Sequence, residues 1–231
     1  MNDIVDNHYK IKSFVLRQGR MTKGQQRGWD ECWDKWGLTL EAGRLDMVNT
    51  FKRSAPVVLE IGYGMGLSLI EMAKAEPAYD FIGIEVHRPG VGSLLNEANT
   101  AEVTNIRTYN NDAVDVLSQC IPDNSLTRIQ IYFPDPWHKK RHNKRRLIQP
   151  DFITTLRPKL VPSGVIHLAT DWEHYADQMM KVMSVAEGFN NLAGEYTFSE
   201  RPTYRPLTKF EKRGQHLGHG VWDLLFEKIA Y

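Results

Sequence analysis

The stretch Val57-Val58-Leu59-Glu60-Ile61-Gly62-Tyr63-Gly64-Met65-Gly66 constrains this chain more than any other part of it. A short apolar run stops at an acid and a glycine turn, and a helical pattern over 67–74 follows. That is a buried strand handing over to a helix. The same pair of signals repeats down the chain. Strands are expected at 81–84, 106–109, 129–133 and 165–168, and helices around 91–98, 113–120, 152–160 and 175–183. A last strand at 221–229 follows a long polar segment and is expected to run antiparallel. Strands alternating with helices imply an α/β fold, a mainly parallel sheet with right-handed crossovers and helices on both faces. Ligands in such sheets bind at the carboxyl ends of the strands. The residues just after each strand should therefore carry the chemistry.

Residues 1–53 show no comparable pattern apart from Trp29, Trp33 and Trp36. Their i, i+4, i+7 spacing suggests a short helix packing one aromatic face, in preference to a platform for base stacking.

Behind the first strand, glycines let the backbone turn tightly and approach a ligand, and the next helix offers unpaired N–H groups. A dinucleotide turn reads G-x-G-x-x-G, but its third glycine position is Leu67 here, and the spacing is G-x-G-x-G. Glu60, two residues before Gly62, would repel a pyrophosphate and suits a cofactor carrying an ammonium and a sulfonium. Spacing and charge favour S-adenosylmethionine over NAD, with Gly62 and Gly64 approaching it. Glu85 ends the second strand, 25 residues after Glu60, where an acid can accept from both ribose hydroxyls or be an ordinary strand-end acid. Asp112, after the third strand, could accept from the adenine amine, cap the helix that starts at Ala113, or do both.

The fourth strand runs into Phe133-Pro134-Asp135-Pro136-Trp137-His138-Lys139-Lys140. This resembles the acidic–Pro–Pro–aromatic turns with which amino-group methyltransferases hold a base beside a methyl donor; the plain alternative is a proline-stiffened loop with a buried Asp. Six of the nine residues from His138 to Arg146 are Lys or Arg. Phosphate-binding cations beside a base-holding turn are what nucleic-acid chemistry requires. Asp171 in Thr170-Asp171-Trp172 is a substrate contact or a helix N-cap. Near the C-terminus, Glu211 in Thr208-Lys209-Phe210-Glu211 could accept two hydrogen bonds from the Watson–Crick edge of guanine.

With 29 Lys and Arg against 28 Asp and Glu, net charge is +1, so bulk charge selects no partner. The distribution does. Lys10, Lys12, Arg17, Arg20, Lys23 and Arg27 lie in an acid-free run, a second local patch suited to a polyanion unless both patches are solvated loops. Cys32 and Cys120 form no C-x-x-C pair, which fits a reducing, cytoplasmic setting. The polar start lacks a signal-peptide core, and no run approaches the ~18 apolar residues of a membrane span. His138 and His142, like His216 and His219, lie among cations or lack a companion acid, so no metal is expected. A binding protein with a vestigial cofactor turn is disfavoured by Glu60 and Glu85, which such a protein need not keep.

Taken together these segments resemble the bacterial tRNA (guanine-N7)-methyltransferase family. The likeness runs in order from R-Q-G-R-M-T-K-G-Q through E-I-G-Y-G-M-G and G-I-E-V-H. It continues through F-P-D-P-W-H-K-K-R-H-N-K-R-R, A-T-D-W and R-P-L-T-K-F-E-K-R-G to G-H-G-V-W-D-L. The resemblance implies a Rossmann-like class I methyltransferase domain over 54–231, preceded by a basic arm over 1–53. It implies methyl transfer to the variable-loop guanosine at position 46 of tRNA. It further implies cofactor contacts from Glu60, Glu85, Asp112 and Asp135, with Asp135 catalytic. Substrate contacts would come from Lys139, Asp171 and Thr208, Lys209, Phe210 and Glu211. RNA contacts would come from Arg141, His142, Asn143, Lys144, Arg145 and Arg146.

Overall fold

The computed structural model describes residues 13–14, 19–207, 211 and 220–229. Seven α-helices and eight strands are assigned among them: α1 (Lys23–Trp36), β1 (Gly37–Leu38), α2 (Met47–Phe51), β2 (Val57–Ile61), α3 (Leu67–Ala75), β3 (Asp80–Ile84), α4 (Arg88–Thr100), β4 (Ile106–Tyr109), α5 (Ala113–Gln119), β5 (Leu126–Tyr132), α6 (Pro150–Leu156), β6 (Leu160–Thr170), α7 (Glu173–Ser184), β7 (Phe189–Asn191) and β8 (Trp222–Lys228). They form one sheet ordered β1-β4-β3-β2-β5-β6-β8-β7. Strands β1 to β6 pair in parallel, and β8 runs antiparallel to both β6 and β7. The switch point lies between β2 and β5, so the glycine turn after β2 opens at the crevice where such sheets bind ligands.

The two-residue period of the strands sorts their side chains onto two faces. Val57, Leu59 and Ile61 pack with Ile129, Ile131, Ile166, Leu168, Leu224 and Phe226 against α5, α6 and α7. Val58, Phe81 and Ile106 face the other way, onto α1, α3 and α4. Both layers are apolar, which is why the strand sequences read as continuous runs. The exception is the second face of β5, β6 and β8. There Arg128, Gln130, His167 and Asp223 are buried polar groups. Tyr204 and Arg205 bond to two of them, His167 and Asp223.

Residues 23–53, expected as part of a basic arm, fold against this sheet. Helix α1 starts in a capping box between Thr22 and Gln25 and lies on α4 through two glycines. A Cβ on Gly28 would sit 2.2 Å from the Gly92 carbonyl oxygen, and one on Gly92 would sit 2.3 Å from that of Gln25. Trp36 is buried and its indole N–H donates to the Val103 carbonyl at 2.9 Å, while Trp29 stacks on Trp33 at 4.5 Å. The tryptophans are packing residues, as their spacing suggests. The helix expected through 160 ends at Leu156 instead. Pro158 cannot extend an α-helix, so a 3-10 turn over Arg157–Lys159 leads straight into β6.

Candidate active site

Strand β2 delivers Glu60 and the glycine turn to the same place. Gly62, Gly64 and Gly66 have φ of 78, 62 and 80°, a left-handed path that other residues adopt only under strain. Helix α4 closes on the turn through Gly90, where a Cβ would lie 2.1 Å from the Gly64 carbonyl oxygen. Glu85, at the end of β3, braces the turn from the other side. Its two carboxylate oxygens accept from the N–H groups of Gly64 and His87, both at 2.8 Å. Each oxygen keeps a second lone pair, so the role expected toward ribose hydroxyls is compatible with this bracing.

Glu60 points to the helix α3 side of the sheet and is 2% exposed. Its Oε2 is buried and has no hydrogen-bond partner. Burial pushes the carboxyl up to about 8; the Arg128 guanidinium opposes that rise and the Glu85 charge adds to it. A buried carboxylate with an unmet acceptor is costly unless a cation completes it. The donor set therefore fits the ammonium of an S-adenosylmethionine-like group.

Two adjoining cavities open at the glycine turn. One of about 380 Å³ is lined by Glu60, the turn from Gly62 to Ser68, Tyr132, Phe133 and Arg205. The other, about 200 Å³, is lined by Glu85, Asp112, Asp135, Gly62, Tyr132 and Phe133 among others. The expected cofactor residues thus converge on two lobes that share Gly62, Tyr132 and Phe133. Asp112 also does what its alternative reading required: its side chain accepts from the Val114 N–H and caps α5.

The loop after β5 follows a strained path that hydrogen bonds to Asp135 and Pro136 hold in place. Phe133 and Trp137 have φ of 50 and 45°, unusual for bulky residues. Between them Asp135 is exposed, which rules out the buried-Asp alternative, and its Oδ1 accepts from the Trp137 N–H at 3.0 Å. The Trp137 ring lies under the Arg145 guanidinium at 4.9 Å and against His142. Lys139, Lys140, Arg141 and Lys144 are exposed on the 3-10 turn that follows, Arg145, His142 and Asn143 partly so. Arg146 departs from this pattern. It is 2% exposed, and its guanidinium donates to the Pro136 carbonyl and to Gln178 and meets His174. A side chain so committed braces the Asp135 turn against α7 and does not reach out to a phosphate.

Asp171 is half-buried and caps nothing: the N-cap of α7 is Trp172, which makes no side-chain cap bond. The expected substrate residues Thr208, Lys209 and Phe210 lie outside the described residues, as do Lys10, Lys12, Arg17, His216 and His219. Glu211 is described and is buried, with both oxygens accepting from Arg205 at 2.8 Å. Tyr132 and Arg205 line the first lobe, and His167 and Asp223 bond to them; Arg205 and Asp223 lie in the R-P-L-T-K-F-E-K-R-G and G-H-G-V-W-D-L blocks, but no role is expected for any of the four from the sequence.

Among the described residues no group of three or more His, Cys, Asp or Glu could hold a metal ion, and no helix is long and apolar enough to cross a membrane.

Comparison with known proteins matches this architecture. A family described as "Putative methyltransferase" matches residues 54–224. The tRNA (guanine-N(7)-)-methyltransferase of Alcanivorax borkumensis is 59% identical over 96% of this chain and 92% of its own. That of Pseudoalteromonas atlantica is 58% identical over the same shares. Among solved structures, the antibiotic-resistance methyltransferase Kmr superposes with a TM-score of 0.55 at 15% identity, covering 84% of this chain and 94% of its own. The aminoglycoside resistance methyltransferase NpmB1 gives 0.53 at 13% identity, covering 84% and 95%. These two share the Rossmann-like methyltransferase fold. With such identity along nearly its whole length, the chain belongs to the bacterial tRNA (guanine-N7)-methyltransferase family.

Proposed function

We propose that this protein transfers the methyl group of S-adenosylmethionine to N7 of guanosine in tRNA, at position 46 of the variable loop. The observation that carries the reading is Glu60, a buried carboxylate with an unpartnered oxygen beside the glycine turn. The names of relatives at 54–59% identity supply the substrate class.

The bound cofactor would supply an electrophilic methyl on a sulfonium. Guanine N7 has a free lone pair, so no proton need leave before the N7–CH₃ bond forms and the S–CH₃ bond breaks. Catalysis is then alignment and electrostatics. Glu60 would hold the ammonium end, with Glu85 and Asp112 around the nucleoside end. Asp135, fixed by its bond to the Trp137 N–H, would present a negative charge where the methylated purine becomes cationic. It has no proton to remove. Lys139 and Asp171 would meet the target nucleotide, and Arg141, Lys144 and Arg145 the neighbouring phosphates, helped by His142 and Asn143. Arg20 and Lys23 border a groove of about 890 Å³ with His87, Arg88 and Asp112, which supports a second RNA contact from the basic N-terminal segment. Drawing the base out of folded tRNA costs roughly a few kcal/mol, which such phosphate contacts offset.

The test is transfer from labelled S-adenosylmethionine to unmodified tRNA, with the product digested to nucleosides. N7-methylguanosine that disappears when the position-46 guanosine is replaced is expected. A different methylated nucleoside would overturn the assignment.

A further inference from the structure

Two tryptophans stand at the carboxyl edge of the sheet beside the cationic turn, and they are held differently. Trp137 is half-buried; its indole N–H donates to the Ser13 carbonyl at 3.0 Å, and Arg145 and His142 pack against its ring. Trp172, just after β6, is 41% exposed. Its ring meets that of His138 at 75°, centres 4.3 Å apart, and among the described residues its indole N–H has no partner.

An exposed apolar side chain standing alone needs no explanation. Trp172 differs in its position and its company. It is the N-cap residue of α7 and makes no side-chain cap bond. Ser, Thr, Asp or Asn in that place would satisfy an open N–H of the first turn, so an indole there gives up capping. Its backbone is nonetheless fixed: the N–H donates to Thr170 Oγ1 at 3.2 Å, and the carbonyl accepts from Tyr175 and Ala176 at 2.8 and 2.9 Å. Thr170, Tyr175 and Ala176 are buried, so the ring is mounted on the core and projects from it. Lys139, Lys140 and Arg141 follow His138 directly and are exposed. A rigid, exposed aromatic beside phosphate-binding cations is how proteins hold an unstacked base.

We infer that Trp172 is a stacking platform for a nucleobase of tRNA next to the guanosine that is methylated. Neither Trp172 nor His138 lines either cofactor lobe, where methyl donor and target base would meet. The base that reaches Trp172 is therefore a neighbour of the target and not the target itself. Drawing one guanosine out of folded tRNA unstacks the nucleotides beside it. An indole face replaces the lost stacking and opposes the return of the guanosine. His138 packs against the ring and limits its rotation, while the cations at 139–141 hold the adjoining phosphates.

The inference rests on the tRNA substrate proposed above, and its test separates the two. Binding of unmodified tRNA by the full-length protein, saturated with S-adenosylhomocysteine, would be measured for wild type, Trp172→Phe and Trp172→Leu. Trp172→Leu is expected to bind about tenfold more weakly or worse, and Trp172→Phe within about threefold of wild type. Stacking neutralises no phosphate, so the salt slope should be unchanged in both. An abasic nucleotide on one side of the target should weaken wild-type binding and add little to the loss in Trp172→Leu. Equal binding by the Leu and Phe variants would overturn the inference, as would abasic losses that add fully on both sides. So would a lower salt slope in Trp172→Leu, which would make the ring a prop for the cationic turn. Should Trp172→Leu not fold, Trp172→Asn, which can cap α7, takes its place with the same expectations. A wild type that shows these contrasts but methylates no guanosine would refute the proposed function and leave the platform standing. Guanosine methylation with full tRNA affinity in Trp172→Leu would do the reverse, and a wild type that binds no tRNA would overturn both.

Discussion

Glu60 of β2 stands in register with Gln130 of β5, and both hold buried side-chain atoms without a protein partner. Two orphaned polar groups side by side on a sheet are tolerated where a ligand completes them. Because the Glu60 carboxyl titrates near 8, it is largely protonated at pH 6.5 in the free protein. An α-ammonium with its own pKa near about 8 is still charged there. Forming the ion pair must then expel the carboxyl proton. Calorimetry of S-adenosylmethionine binding at pH 6.5, in buffers of different ionisation enthalpy, should show release of about one proton. Glu60→Gln should bind more weakly and release none. No proton release by wild type would remove Glu60 from the ammonium site.

The same residue makes a stability prediction. A carboxyl raised from its ordinary value to about 8 binds its proton more tightly in the folded chain. Its contribution is intact below the ordinary carboxylate range and is lost as pH rises through about 8, at up to ~1.4 kcal/mol per pH unit. Glu60→Gln escapes that loss. The gap in melting temperature between Glu60→Gln and wild type, both ligand-free, should widen from pH 5 to 8 and then level off. A constant gap would mean that Glu60 does not titrate in that window.

Much of this is legible in the sequence, and the reasons differ from residue to residue. Glu60 near the end of its strand, and Glu85 and Asp135 just after theirs, belong to strands that are apolar enough to be recognised, so their place at the carboxyl edge follows from the alternation alone. Arg146 looks like its neighbours because a cluster of cations says nothing about which one turns inward; only the fold brings Pro136, His174 and Gln178 around it. The Arg205–Asp223–His167 chain joins residues 18 and 56 positions apart, beyond any local pattern. Strand β1 is two residues long and owes its pairing to β4, which no period can announce.

The basic loop divides into two kinds of cation. Arg141 and Lys144 are exposed, so replacing both with Ala should weaken tRNA binding and lower its salt slope by up to ~1.8, about 0.9 for each phosphate no longer neutralised. Arg146→Ala should leave the slope unchanged, lower the melting temperature and reduce kcat by loosening the Asp135 turn. A reduced slope in Arg146→Ala would show that it reaches phosphate after all.

The α1–α4 contact is equally specific. Alanine at Gly92 forces a methyl against the Gln25 carbonyl and should cost about 1–3 kcal/mol in urea unfolding, as overpacking does. Gly24→Ala, in the partner helix α1 with open space around it, should be neutral or stabilising by up to ~1 kcal/mol. Equal effects at the two sites would mean that helix propensity, and not the close approach, decides.

Asp135 can act through its charge or through the turn it stabilises, and two substitutions separate these roles. Asparagine keeps an oxygen that can accept from the Trp137 N–H, and with it the strained path from Phe133 to Trp137, but carries no charge. Alanine removes both. If the carboxylate stabilises the purine as it becomes cationic, Asp135→Asn should fall about 10²-fold or more in single-turnover rate, nearly as far as Asp135→Ala, with both melting like wild type. If the turn is what matters, Asp135→Asn should keep most of the rate and Asp135→Ala lose it. Because Asp135 is exposed, neither variant should disturb the core, so a rate loss is read as chemistry. We expect the first pattern, since N7 needs no proton removed and the charge it gains on methylation has to be met within the site.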